Sequence, residues 1–239
     1  MNWLLSIAFA LTPVGTMAQT ALPPGTLIPV SLSGSLNVDK LHAGHAFHGV
    51  VMQSLPGTSI KRGARVEGTV VNFDKGTHPR LEIRFESVVS HGQRTGITAS
   101  LRAVASFNEV EEAQIPEEGA SRGITPEVAT TEQIGGEQVY RGGGPVAAGE
   151  HIVGTPTPWG VLAVPRTQRG MPCRASVDGN ADAQAFWLFS TDACGVYGFS
   201  HMRIQHAGRS QPVGTIVLAS DERKLDLRSG TAFLLRVVR

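Results

Sequence analysis

Three imidazoles fall within seven residues at His42, His45 and His48, the densest polar constellation in the 239-residue chain. Imidazoles so close could ligate a transition metal. On an extended strand His42 and His48 share one face and His45 takes the other. Gly44 and Gly49 oppose a helix, so the competing reading is a solvated turn entering a strand. A second candidate is Asp178-Gly179-Asn180-Ala181-Asp182-Ala183, where Asp178, Asn180 and Asp182 resemble the start of a calcium loop. Ala183 stands where such a loop has Gly, and Phe189 where it has its closing Glu. A turn held by Asx side chains accounts for the same residues without an ion. Neither cluster is complete, and the sequence predicts no resident metal or cofactor.

Nucleophilic catalysis has only raw material. Ser200 lies in Gly198-Phe199-Ser200-His201-Met202, which lacks the closing Gly of a nucleophile elbow. Asp192, His201 and His206 are near in sequence, but triads are assembled by folds rather than by adjacency. Trp159 and Trp187, beside Phe186, Phe189, Tyr197 and Phe199, could form a ligand platform or a core. Gly142-Gly143-Gly144-Pro145 lacks the Lys of a phosphate loop. Basic residues are scattered singly along strands, so a nucleic-acid partner is not expected.

The elements that must position these residues read as β. Gly25–Leu36, Phe47–Leu55, Ala64–Phe73, Leu81–Val89 and Thr95–Val104 are strand-like pieces separated by turn residues. In Leu81–Val89, Leu81, Ile83 and Phe85 alternate with Glu82, Arg84 and Glu86, the period of a strand with one solvated face. Gly (28) and Pro (14) favour turns over long helices. Gly-Thr opens an apolar strand at Gly25-Thr26, Gly214-Thr215 and Gly230-Thr231, which we read as recurrent turn-into-strand chemistry. Lys61-Arg62-Gly63 reads as another turn. The expected fold is all-β, an antiparallel barrel or sandwich over 23–105. A mobile acidic segment follows at 106–150, with nine Glu and no Asp against two Arg. A β-rich, disulfide-bearing region at 151–239 completes the chain, and its last strands could complete the first barrel.

Residues 1–18 read as a signal peptide: the run Leu4–Leu11 is apolar and too short to span a bilayer, and Thr16-Met17-Ala18 gives small residues before Gln19. No later stretch is apolar enough for a transmembrane helix. In an oxidising compartment Cys173 and Cys194, the only two cysteines, are most simply one disulfide.

Gly25-Thr26-Leu27-Ile28-Pro29-Val30, the Phe47-His48-Gly49-Val50-Val51 strand, the Ile60–Thr69 turn and strand, and the His91-Gly92-Gln93 turn occur in one order. In these, residues 25–104 resemble the β domain of TrbI-type conjugation proteins, the outer-membrane core components of type IV secretion systems. Lys61 stands where that family has Pro, and a signal peptide replaces its cytoplasmic tail, transmembrane helix and stalk. The resemblance implies an exported β module in a cell-envelope assembly, periplasmic, outer-membrane associated or secreted. Its partners would be envelope proteins or further copies of the chain, with peripheral membrane association. The alternatives are a sugar- or peptide-binding β module on Trp159 and Trp187, and a hydrolase around Ser200, His201 and His206. Intact-mass analysis of exported protein after alkylation should find no free thiol; two labelled cysteines would refute the Cys173–Cys194 bond.

Overall fold

The computed structural model describes residues 21–55, 57–114 and 193–239, the short strands between 130 and 186 given below, and the bridged residues Ile134 and Phe189. The expected signal peptide lies outside these residues. So does much of the acidic stretch, although its start is helical. In chain order the strands are β1 (Leu27–Leu32), β2 (Leu36–Asn37), β3 (Ala46–Val51), β4 (Arg65–Asp74), β5 (Arg80–Ser90), β6 (Gln93–Gly96) and β7 (Ala99–Ala105). The helix α1 (Phe107–Gln114) follows, then β8 (Thr130–Glu132), β9 (Gln138–Tyr140), β10 (Val146–Ala148), β11 (His151–Thr157), β12 (Gly160–Ala163) and β13 (Gln184–Phe186). Last come β14 (Gly195–Tyr197), β15 (Met202–His206), β16 (Ile216–Ser220), β17 (Asp226–Leu227) and β18 (Ala232–Val237).

Ten strands form one sheet in the order β14-β7-β18-β1-β3-β4-β5-β16-β15, with β6 added on β5. The C-terminal strands thus complete the N-terminal sheet: β18 lies between β1 and β7, and β16 lies on β5. The chain is all-β in character, as expected, but the sheet is neither purely antiparallel nor a closed barrel. β14 runs parallel to β7 and occupies the edge along Ala103–Ala105. β15 therefore meets β7 only below that point, where Leu101 N donates to Ala207 O at 2.8 Å without forming a ladder. Separate small sheets are β10-β11-β12-β13, β17-β2 and β8-β9.

The interior is built from alternate residues of the strands. Ile28, Val30 and Leu32 of β1 point into it with Leu81, Ile83 and Phe85 of β5 and Phe233, Leu235 and Val237 of β18. Two bulges keep this alternation in phase. On β7, Leu234 pairs with Ala103 and Leu235 with Leu101, so Arg102 is the extra residue. On β5, Gly68 pairs with Phe85 and Glu67 with Ser87, so Glu86 is extra. Each extra residue switches which parity faces inward. A second core lies on the outer face of β1, β7 and β18, where Leu27, Ala103, Ala105, Ala232 and Leu234 pack with Val110 of α1, Ile134 and Phe189. Buried on both faces, these strands are apolar almost throughout.

Five strands open in the same way. Thr26, His45, Ala64, Thr215 and Thr231 each donate a backbone bond to the carbonyl three residues before, at 3.0–3.1 Å. The residue before each is Gly25, Gly44, Gly63, Gly214 or Gly230, with φ between +80° and +91°. That combination is a type II turn, whose third position favours glycine. The strands β1, β3, β4, β16 and β18 begin two residues after those glycines. The Gly-Thr recurrence is therefore one turn used repeatedly, and Lys61-Arg62-Gly63 is another copy of it.

Within the core, Phe47 of β3 and Phe85 of β5 meet edge-to-face, ring centres 5.3 Å apart, across the intervening strand β4. They can meet because Gly68 is in register with both. A Cβ at Gly68 would stand 2.5 Å from Phe47 Cζ and 2.6 Å from Arg84 O. Gly68→Ala is expected to destabilise the protein by about 1–3 kcal/mol. Gly34→Ala, where a Cβ meets nothing within 4 Å, should stay within about 0.5 kcal/mol. Urea unfolding of both variants checks this, and equal midpoints would refute it.

Candidate functional site

The structure divides the histidine cluster. His42 and His45 flank the type II turn that leads into β3, and their rings meet edge-on with centres 5.0 Å apart. His45 Nδ1 lies 3.4 Å from His42 Nε2, and His42 Nδ1 lies 3.1 Å from Ala43 O. His48 is exposed within β3, in register with Glu67 of β4, and makes no third member. Among the described residues no group of three or more His, Cys, Asp or Glu could hold a metal ion.

The densest polar site on the sheet surface centres instead on Glu67. Ser87 Oγ donates to Glu67 Oε2 at 3.0 Å, and Arg94 Nη1 on β6 hydrogen-bonds both that oxygen and Ser87 Oγ. Arg65 Nε stands 3.6 Å from Glu67 Oε1. The Arg94 hydrogen bond, helped by Ser87 and by the charges of Arg94 and Arg65, holds the Glu67 carboxyl below the usual range; partial burial opposes it. Three strands, β4, β5 and β6, are tied by this one carboxylate. Sequence reading missed it because its members lie on different strands and meet only through register.

Among the described residues Ser200, His201 and His206 make separate contacts. Ser200 and His201 occupy the exposed turn before β15, and His201 Nε2 reaches Glu222 Oε1 at 2.9 Å. Arg203 pairs with Asp221 in the same place. His206 meets another hydroxyl, Ser210 Oγ, at 2.8 Å from Nε2. Its Nδ1 accepts from Gly208 N at 2.9 Å and lies 2.6 Å from Thr215 O. The amide and the carbonyl make opposite demands on that nitrogen. In either tautomer the ring is held by the backbone of the loop it closes, which fits a clamp between β15 and β16 better than a general base. Asp221, Glu222, Arg223 and Lys224 line an open depression of about 550 Å³ with Thr77. Both of its carboxylates are already engaged by Arg203 and His201.

Cys194 is half-buried, and Tyr197 Oη closes a loop on it, accepting from Cys194 N (2.9 Å) and donating to Cys194 O (3.0 Å). Its expected partner Cys173 lies outside the described residues, as do Trp159, Trp187, Asp178, Asn180, Asp182 and Asp192. Among the described residues no helix is long and apolar enough to cross a membrane. No protein-family model and no curated protein matches the chain.

Glu67→Gln is expected to lower stability at pH 7 by up to about 1 kcal/mol, a small effect because solvent reaches the pair. A depressed carboxyl stabilises the fold above its unfolded pKa and loses that contribution as pH falls through the folded value. The difference between wild type and variant should therefore fade below about pH 4. Urea midpoints across pH 3–7 test it (a range set by the carboxylate pKa, about 4). A difference that grows in acid would refute the assignment.

Proposed function

We propose that the chain is an exported, non-catalytic structural or assembly component of the cell envelope. It would work within an outer-membrane or secretion-type complex, beside envelope proteins or further copies of itself. The observation that carries this reading is the layout of the main sheet. Strands from both ends of the sequence interleave in one ladder, and residues 115–192 are inserted between α1 and β14. A sandwich-like β module that carries a long insertion in its sequence has the organisation of a scaffold. The segment resembling the TrbI-type β domain supplies β1 to β7 of that module, which supports the same assignment. The histidines that a hydrolase would need already have positional roles, in the His201–Glu222 pair and the His206 loop clamp.

Among the described residues β15 pairs in the ladder with β16 alone, which makes it an edge where a neighbouring subunit could add a strand. Arg203 on it pairs with Asp221, and His201 just before it lies beside Glu222; such polar side chains at an edge restrain indiscriminate pairing. Gentle extraction of the mature protein from the envelope, followed by native sizing and identification of what co-purifies, tests the proposal. A defined complex containing envelope proteins or several copies is the expected result. A lone monomer with no partner would overturn it.

A further inference from the structure

We infer that His42 Nε2 and His45 Nδ1 form a two-imidazole site for zinc. The turn that carries them is fixed before any ion arrives: His45 N donates to His42 O at 3.1 Å, Gly44 N to Val70 O at 2.9 Å, and Val70 N to His45 O at 2.9 Å. Gly44, with φ +80°, gives the turn the left-handed residue it requires. The His42 ring is oriented as metal-bound imidazoles are, because its Nδ1 lies 3.1 Å from the Ala43 carbonyl. A proton held there leaves Nε2 with its lone pair free.

His45 Nδ1 lies 3.4 Å from that nitrogen, and the two rings can share a long hydrogen bond when one of these nitrogens carries the proton. The gap is long for an N–H bond, which usually spans about 2.7–3.2 Å. It matches the separation of two nitrogens on one tetrahedral zinc: with Zn–N of about 2.0–2.1 Å they stand about 3.3–3.4 Å apart. His42 is exposed and His45 is half-buried, so solvent reaches the pair and water can complete the coordination of an ion. No third His, Cys, Asp or Glu joins the pair among the described residues. The remaining positions are open to water, and His48, in register with Glu67 on β4, takes no part.

The test is titration calorimetry with zinc chloride on the full chain after chelator treatment, comparing wild type, His42→Gln, His45→Gln and His48→Gln. His42 and His48 are exposed and His45 is half-buried, and thermal melts confirm that the variants fold. One saturable site is expected in wild type. Losing either His42 or His45 should weaken it at least about tenfold, as much as the loss of an outer-shell partner does in metal sites. His48→Gln should bind as wild type does. Absence of saturable binding in wild type, equal affinity in all four proteins, or an equal loss in His48→Gln would each overturn the assignment.

Discussion

The contact between Phe47 and Phe85 across Gly68 is the constraint on which the interior depends. Phe47 on β3 and Phe85 on β5 are not on adjacent strands, yet their rings touch because the strand between them carries no side chain at that register. Phe85 in turn meets Phe233 of β18 edge-to-face at 5.3 Å. A chain of three aromatic rings thus spans the core from the third strand to the last. Each edge-to-face pair contributes about 0.5–1.5 kcal/mol beyond the area it buries. More important is what the chain couples: residues near 47 and residues near 233 pack in one place, so neither end of the sequence can settle without the other. A glycine in a strand weakens it locally through backbone freedom, and here the ring lying over Gly68 replaces the missing side chain.

Much of this was legible in the residues. Leu81, Ile83 and Phe85 alternate with charged neighbours, and they face inward as that alternation requires. The Gly-Thr recurrences marked real turns, because a type II turn demands a residue that accepts positive φ and a strand follows at once. What the sequence hid depends on register. One extra residue at Arg102 and another at Glu86 invert the inward parity of β7 and β5. A reader who continues the alternation past either position assigns the wrong face. The Glu67 network shows the same limit, since Arg65, Ser87 and Arg94 become neighbours only after β4, β5 and β6 are aligned. The choice of Ser210 over Ser200 as the hydroxyl beside His206 depends on how a loop closes, and spacing carries no signal for it.

Of the two expected architectures, barrel or sandwich, the barrel does not close, for an identifiable reason. Eight strands from β7 round to β15 alternate in direction, and antiparallel closure of β15 on β7 would satisfy the pattern. The parallel strand β14 takes the Ala103–Ala105 edge first. Among the described residues the hydrogen bond between β7 and the end of β15 is that from Leu101 N to Ala207 O. The composition of β14 offers little warning, because three residues of Gly, Val and Tyr could pair in either direction.

The same pairing explains why the insertion cannot be an independent appendage. The outer face of β1, β7 and β18 presents Leu27, Ala103, Ala105, Ala232 and Leu234, all nearly inaccessible to solvent. Their cover comes from Val110 of α1 and from Ile134 and Phe189, which bridge each other in parallel and belong to the inserted stretch. Without that cover the sheet would expose a contiguous apolar strip, which soluble proteins rarely leave open. Residues 134 and 189 must therefore return to the sheet whatever the rest of the excursion does.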